Sequence, residues 1–111
     1  MRKLRQASPP DKLYVAWVRR QACIVCELAG IAYPRTFRRS EAHHAGPRGT
    51  GQTADDKTCI PLCWRHHDRM STVSVHTLGV TFWGRFGLER GEVIAEVRRR
   101  YAVEHGEDVA A

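Results

Sequence analysis

Helical periodicity marks two segments, one near each end of the chain. The first covers residues 11–22, DKLYVAWVRRQA, where Asp11 stands at the position of an N-cap residue. Four residues share one face at the spacing i, i+3, i+4 and i+7: Leu13, Ala16, Trp17 and Arg20. The apolar members of this face are expected to pack on the core. A second helix is predicted over residues 91–105, where apolar side chains recur every four positions: Val93, Val97 and Tyr101.

Shorter patterns between these helices predict two strands, a loop and a further helix. Residues 35–43, RTFRRSEAH, alternate imperfectly and are predicted to form a strand, and residues 58–63, TCIPLC, are predicted to form a second. Pro61 restricts the second strand to an edge or an end of a sheet because it has no amide proton. Residues 45–57 are rich in Gly, Thr and Asp, which predicts a long exposed loop. Residues 64–70, WRHHDRM, are expected to begin a helix, so the fold class is α+β.

The chain is long enough for one small domain. Its 111 residues leave no room for two independent cores. Residues 1–10 are basic and end in two prolines, which predicts a flexible arm; residues 11–105 would form the domain, and residues 106–111 a disordered tail. Little other apolar mass is available, so most large side chains before the last helix are expected in the core: Phe82, Trp83, Phe86 and Leu88.

The net charge of +6 indicates a polyanionic partner, and nucleic acid is the first candidate. Three clusters carry the surplus: Arg2, Lys3 and Arg5; Arg35, Arg38 and Arg39; and Arg98, Arg99 and Arg100. A solvated basic surface explains the charge equally well. No apolar run approaches the ~20 residues of a membrane span, and no secretory signal is recognisable, so no membrane partner is expected. We therefore expect a cytoplasmic protein, in which closely spaced cysteines are more often metal ligands than disulfides.

The spacing of the cysteines predicts a structural zinc site. Cys23 and Cys26 form a C-x-x-C pair, which presents two thiolates to a tetrahedral Zn²⁺. Cys63 and His66 stand three residues apart at the start of a predicted helix and therefore face the same side. Cys59 competes for the site, but residues four apart on a strand are ~13 Å apart, so Cys59 is assigned to the core. The alternative is four reduced cysteines without metal, which would leave a domain this small without a stabilising cross-link.

Four of the six histidines form two adjacent pairs, at residues 43–44 and 66–67. Neighbours point to opposite sides of a strand and about 100° apart around a helix, so each pair can serve two sites. Imidazole binds divalent transition metals, and it is the side chain best suited to accept a proton near neutral pH. One metal beside a free imidazole, in a basic protein, suits phosphodiester hydrolysis.

In this order the motifs resemble the HNH endonucleases, whose site is a ββα-metal (His-Me finger) core. Five stretches correspond to the phage and prophage group that includes the Ref recombination nuclease: WVRRQACIVC (17–26), EAHH (41–44), GTGQTADD (49–56), PLCWRHH (61–67) and HTLGVTFW (76–83). The resemblance covers roughly residues 12–88. It implies a small zinc-stapled ββα-metal core with flanking N- and C-terminal helices, and metal-dependent cleavage or nicking of DNA by a phage or prophage protein.

The resemblance also assigns roles to individual residues. His44 corresponds to the general base that activates water. Thr58 stands near the position of the asparagine in the HNH motif and would orient the base through its backbone. Asp56 would share this task. His43 and His67 correspond to ligands of a catalytic divalent ion, which would be Mg²⁺, Mn²⁺, Ni²⁺ or Zn²⁺. The four residues that the spacing predicts as zinc ligands match the structural zinc of the family.

The third ligand of the catalytic ion is where this chain departs from the family. Relatives often carry a histidine one helical turn after the position of His67, where this chain has Ser71. About five residues within DRMSTVSV are extra relative to that pattern, and the next histidine is His76. Either the helix is broken and His76 returns to the metal, or two protein ligands and water hold the ion. We adopt His76 as a ligand, with a surface histidine as the alternative.

Three arginines are candidate contacts with the DNA backbone: Arg48, Arg65 and Arg69. Trp64 could stack on a base, but packing around the zinc is its expected use. The rival function is a non-catalytic, zinc-stapled DNA-binding module. The resemblance further implies a recombinase filament as a possible partner.

Overall fold

Short strands flanked by helices form the computed structural model, which describes residues 11–32, 40–47 and 55–106 and the backbone of residues 5–6 and 52–53. Its strands are β1 (Arg5–Gln6), β2 (Glu41–His44), β3 (Gln52–Thr53) and β4 (Cys59–Leu62). Its helices are α1 (Lys12–Arg19), α2 (Ile24–Leu28), α3 (Trp64–His67), α4 (Val75–Leu78), α5 (Phe82–Arg85) and α6 (Arg90–Glu104), with 3₁₀ turns over Asp56–Thr58 and Gly79–Thr81. The described residues therefore form a small α+β fold, as predicted.

The strand pair β2–β4 is antiparallel and lies at the centre of the fold. Its opposed residues are Glu41 and Leu62, Ala42 and Pro61, His43 and Ile60, and His44 and Cys59. The strand predicted over residues 35–43 is observed from Glu41 to His44, and residues 35–39 lie outside the described part of the chain. β4 confirms the second predicted strand, and its proline is tolerated because β4 pairs only with β2 within the described residues.

Helix α1 packs on this strand pair through a face that only partly matches the predicted one. Trp17 is buried as predicted, whereas Leu13, also predicted to face the core, is 78% exposed. The other buried side chains of the helix are Tyr14 and Val18. The carboxylate of Asp11 caps the helix as predicted, accepting a hydrogen bond from the amide of Tyr14 at 3.1 Å. The helix ends at Arg19, before residue 22, so only part of the predicted segment is helical.

Helix α6 contacts β4 and confirms the prediction for residues 91–105. Its apolar positions are buried or half-buried: Val93, Val97 and Tyr101. The ring of Tyr101 packs edge-on against Trp17, with centroids 5.2 Å apart, and the indole nitrogen of Trp17 donates to Glu104 at 2.8 Å. The aromatic segment before α6 joins the same core, as predicted: Phe82, Trp83, Phe86 and Leu88.

Helix α3 is shorter than the helix predicted over residues 64–70. It ends at His67 because the backbone of Asp68 is extended, with ψ of 135°. A turn follows, and the hydroxyl of Ser74 caps α4 by accepting a hydrogen bond from a backbone amide. The short α4 carries His76 back toward α3, which an uninterrupted helix over residues 64–70 would not allow.

The segment predicted as a long exposed loop, residues 45–57, is partly buried. Ala45 and Asp56 are 5% and 6% exposed, and Asp56 begins a 3₁₀ turn. Strand β3 within this segment pairs in parallel with β1, which belongs to the predicted arm over residues 1–10. The remaining arm positions and residues 107–111 of the predicted tail lie outside the described residues. No helix in the described part of the chain has the length and apolar character needed to span a bilayer.

Two candidate metal centres

Four buried side chains converge between α2 and α3. They are the ligands that the spacing predicts: Cys23, Cys26, Cys63 and His66. Cys23 is the N-cap of α2, and its sulfur accepts a hydrogen bond from the amide of Cys26. Cys63 is the N-cap of α3, so His66 follows it by one turn. Each of the four residues is at most 1% exposed, so the cluster lies inside the core.

The distances between these donor atoms fit a tetrahedral zinc ion. With Zn–S bonds of about 2.3 Å and Zn–N bonds of about 2.0–2.1 Å, two sulfurs stand about 3.8 Å apart and a sulfur and a nitrogen about 3.5 Å. The sulfurs of Cys26 and Cys63 are 3.8 Å apart. The three sulfurs lie 3.5, 3.5 and 3.3 Å from Nδ1 of His66. The cluster can therefore hold a structural metal such as zinc almost without rearrangement.

Neighbouring side chains fix the orientation of His66 and favour the thiolate form of Cys63, and both effects favour the binding of a cation. The ring of His66 is held edge-on by Phe86 at 4.9 Å between centroids, with Phe82 at 6.2 Å. The thiol of Cys23 donates a hydrogen bond to the sulfur of Cys63, which lowers the pKa of Cys63 and raises the pKa of Cys23. Cys63 is therefore a ready thiolate, the form in which cysteine binds metal.

A second cluster brings together three histidines from three elements: His43 of β2, His67 of α3 and His76 of α4. Their donor nitrogens lie within 4.8 Å of one another, and the Nε2 atoms of His67 and His76 are 3.4 Å apart. Two nitrogens bound to one ion at about 2.1 Å with a tetrahedral angle would be about 3.4 Å apart. The structure thus brings together the three residues named as ligands of the catalytic ion. Ser71, which stands where relatives often carry a histidine ligand, is buried, with 7% exposed.

Glu41, at the start of β2, orients one of these histidines. Its carboxylate is hydrogen-bonded to Nδ1 of His67, which places the proton there and leaves Nε2 to face an ion. Glu41 is not among the site residues predicted from the motifs. The signal was present, because Glu41 stands two residues before His43 and therefore lies on the same face of the strand.

His43 is held in the form that binds metal. Its pKa is lowered to about 3, first by burial and then by the charges of the neighbouring histidines His67, His76 and His44. A neutral imidazole keeps the lone pair that coordination requires. The pKa of His76 is also lowered, again first by burial and then by His67.

His44, at the end of β2, belongs to a separate hydrogen-bonded chain. Its Nε2 lies 2.8 Å from Oδ1 of Asp56, whose Oδ2 accepts the amide proton of Asp11 at 2.8 Å. Asp56 is 6% exposed, whereas the side chain of His44 is 36% exposed. With the proton on Nε2, Nδ1 of His44 carries the free lone pair. The link from Asp11 to Asp56 spans 45 residues and was not foreseen from the sequence.

Thr58, the third residue named for catalysis, holds the end of the strand pair. Its hydroxyl donates to the carbonyl of Asp55 at 2.6 Å, and its own carbonyl accepts the amide proton of Ala45 at 3.3 Å. Its side chain also lies against Gly46, where a Cβ would approach Thr58 Cγ2 to 2.4 Å. Thr58 therefore fixes the segment that follows His44.

The candidate DNA contacts are only partly described. Arg65 and Arg69 are exposed, but Arg69 lies past the end of α3, and Arg48 lies outside the described residues. Trp64 is 43% exposed, so the prediction that it packs around the zinc cluster is wrong. The reason is that His66 occupies the buried side of the short α3, which leaves Trp64 on a side that faces solvent.

No protein-family model, curated protein or solved structure matches this chain. The function is therefore argued from the geometry of the two clusters and from the motifs quoted above.

Proposed function

We propose that this protein is a metal-dependent endonuclease of the HNH type that hydrolyses phosphodiester bonds in DNA. The observation that carries the proposal is the convergence of His43, His67 and His76 in a cluster next to His44, whose Nδ1 is available as a base. The antiparallel pair of β2 and β4, followed by α3, supports the proposal because a ββα-metal core places two strands before a helix. The motif resemblance to the phage and prophage Ref-like group supports the same assignment.

In this proposal His44 is the general base. A water molecule at Nδ1 gives its proton to His44 as the water oxygen attacks phosphorus. Asp56 accepts the hydrogen bond from Nε2, which fixes the tautomer and stabilises the imidazolium that forms. The amide of Asp11 holds the second oxygen of Asp56, so the base is anchored to the N-terminus of α1.

The histidine cluster would hold the catalytic divalent ion through His43, His67 and His76. When bound, such an ion supplies charge stabilisation to the phosphate and to the leaving oxygen. Three imidazole donors favour Mn²⁺, Ni²⁺ or Zn²⁺ over Mg²⁺, which prefers oxygen ligands. Because His43 and His44 are neighbours on β2, one strand positions both the ligand and the base.

A structural zinc ion would keep this geometry rigid. His66 and His67 are neighbours on α3; the first belongs to the buried cysteine cluster and the second to the histidine cluster. An ion bound to His66 therefore fixes the orientation of α3 and with it the position of His67. This is the physical use of the adjacent histidines at residues 66–67.

DNA as the substrate is supported by charge. The chain carries a net charge of +6, and Arg65 and Arg69 are exposed on either side of His67 in the sequence. Contacts to phosphate carry no base information, so the proposal extends to DNA in general and not to a particular site. The resemblance adds a recombinase filament as a partner, which cleavage assays with and without such a filament would test.

A plasmid relaxation assay tests the proposal. Purified protein with Mn²⁺, Ni²⁺ or Mg²⁺ is expected to nick or cut supercoiled DNA. His44→Ala should lower the cleavage rate by about 10²–10⁴-fold and leave DNA binding in a gel-shift assay nearly unchanged. His105→Ala is the matched control, because His105 is an exposed histidine at the C-terminal end of α6.

The second candidate is a DNA-binding module without catalysis, which the basic charge and the zinc-ready cluster favour. It would be indicated by DNA binding that persists while no metal supports plasmid relaxation, with or without a recombinase filament. Equal cleavage by His44→Ala and wild-type protein would contradict the role of His44 directly.

A further inference from the structure

A third cluster of metal-binding side chains lies at the proposed base itself. His44 of β2 and Cys59 of β4 are directly opposed in the antiparallel register, so their side chains lie on the same face of the strand pair. Asp56, in the turn before β4, brings its carboxylate to 2.8 Å from Nε2 of His44. One donor atom from each residue, a nitrogen, an oxygen and a sulfur, lies within 4.8 Å of the other two.

We propose that His44, Asp56 and Cys59 form an inhibitory site for a thiophilic divalent cation such as Zn²⁺ or Cd²⁺. The inhibition rests on the proposed nuclease function, whereas the binding of the ion does not. This site is distinct from the structural cluster, because Cys59 is not among the four residues that converge between α2 and α3.

The donor set selects the kind of ion. Zn²⁺ and Cd²⁺ bind thiolate well, whereas Mg²⁺ and Mn²⁺ are harder ions that gain little from a sulfur ligand. One thiolate, one imidazole and one carboxylate leave a fourth tetrahedral position for water, as in open zinc sites. Mn²⁺, which would support cleavage from the histidine cluster, should therefore bind this sulfur-containing site weakly.

The burial of the three residues gives the ion one entry side. Cys59 and Asp56 are 0% and 6% exposed, while the side chain of His44 is 36% exposed. An ion that enters beside the imidazole reaches the sulfur and the carboxylate from the solvent side. The separations of the donor atoms run from 2.8 Å, between Nε2 of His44 and Oδ1 of Asp56, to at most 4.8 Å, so they bracket the ~3.5 Å of a tetrahedral site.

Coordination at this site would remove the base. In the pair formed by His44 and Asp56, Nε2 carries the imidazole proton and Nδ1 carries the lone pair that accepts a proton from water. An ion bound at Nε2 uses the lone pair there, so the imidazole proton moves through solvent to Nδ1. Cys59 releases its thiol proton to solvent as the sulfur binds. The ring then donates at Nδ1 and cannot accept a proton, although the histidine cluster keeps its own ion.

Titration of the zinc-loaded full-length protein with Cd²⁺ tests the binding. We expect an ultraviolet thiolate-to-cadmium charge-transfer band to appear while no zinc is released to a chromogenic chelator. Cys59→Ala should lose this band, whereas Cd²⁺ bound by the histidine cluster gives no thiolate band in either protein. Wild-type protein without the band, or an equal band in Cys59→Ala, would overturn the site.

Zinc inhibition of Mn²⁺-supported plasmid cleavage tests the consequence. Zn²⁺ beyond the structural equivalent should inhibit the wild-type protein, whereas Cys59→Ala and Cys59→Val should keep basal cleavage and require at least about tenfold more Zn²⁺ for the same inhibition. The valine variant refills the core if alanine destabilises the fold. Equal inhibition of all three proteins overturns the inhibitory role while the nuclease stands. If no metal supports cleavage, the nuclease function fails and the Cd²⁺ titration alone decides the site.

Discussion

Loss of a single zinc ligand should unfold this protein, and Cys26→Ser is the change that isolates the effect. Cys26 is 1% exposed, and its sulfur lies 3.8 Å from the sulfur of Cys63 and 3.5 Å from Nδ1 of His66. Serine keeps the size of the side chain but removes the thiolate, and it leaves a hydroxyl in an apolar core. The variant therefore tests coordination with little change in packing volume.

The magnitude follows from comparing two free energies. A structural Zn²⁺ contributes about 10–16 kcal/mol to the folding of small zinc peptides. At about 0.05–0.15 kcal/mol per residue, a chain of 111 residues has a free energy of unfolding of roughly 6–17 kcal/mol. The ion thus accounts for most or all of the net stability, so Cys26→Ser should lose both its zinc and its cooperative unfolding transition.

The assay combines zinc content with thermal unfolding followed by circular dichroism. Cys59→Ala is the matched control, because Cys59 is as buried as Cys26 but lies outside the cysteine and histidine cluster. It should retain one zinc and lose about 1 kcal/mol, a fall of about 4–8 °C in the melting temperature. The reasoning is refuted if Cys26→Ser melts like the wild-type protein, or if a strong chelator strips the zinc and leaves the wild-type melting curve unchanged.

Three further substitutions probe the proposed site and its frame. Asp56→Asn should slow single-turnover plasmid cleavage by about 10²–10⁴-fold with unchanged DNA binding, because the amide cannot stabilise a protonated base; an unchanged rate would exclude a role for the carboxylate. Glu41→Gln should weaken Mn²⁺ binding by about 10–100-fold in calorimetry while zinc content stays constant, and equal affinity would show that the carboxylate does not orient the ligand. Gly46→Ala should cost about 1–3 kcal/mol in thermal unfolding because its Cβ would lie 2.4 Å from Thr58 Cγ2, whereas Gly84→Ala, with no atom within 4 Å, should be neutral; equal melting of the two variants would contradict this steric argument.

Local spacing was sufficient to predict the buried cluster. The C-x-x-C pair and the three-residue separation of Cys63 and His66 each set the geometry within a single turn, and the structure brings both pairs together. The exclusion of Cys59 followed in the same way, because residues four apart on a strand cannot reach one ion. The positions of the first and last helices were also local properties, although the buried face of α1 was predicted correctly only at Trp17.

The histidine cluster needed information that no single segment contains. His76 reaches His67 only because α3 stops at His67 and α4 turns back, and the sequence pattern had predicted a helix over residues 64–70. The burial of Asp56 likewise contradicts the exposed loop predicted for residues 45–57. Its composition of Gly, Thr and Asp indicates only that the segment is not a helix or a long strand.

The sequence by itself therefore determined the donor types, the zinc-ligand spacing, the basic charge and most of the elements, since these depend on residue identity and on distances of a few positions. The tertiary structure alone decided which side chains share a site. The amide of Asp11 meets the carboxylate of Asp56 across 45 residues, and Glu41 meets His67 across 26. Such contacts depend on how separate elements pack, and packing is set by the whole core, which no local pattern encodes.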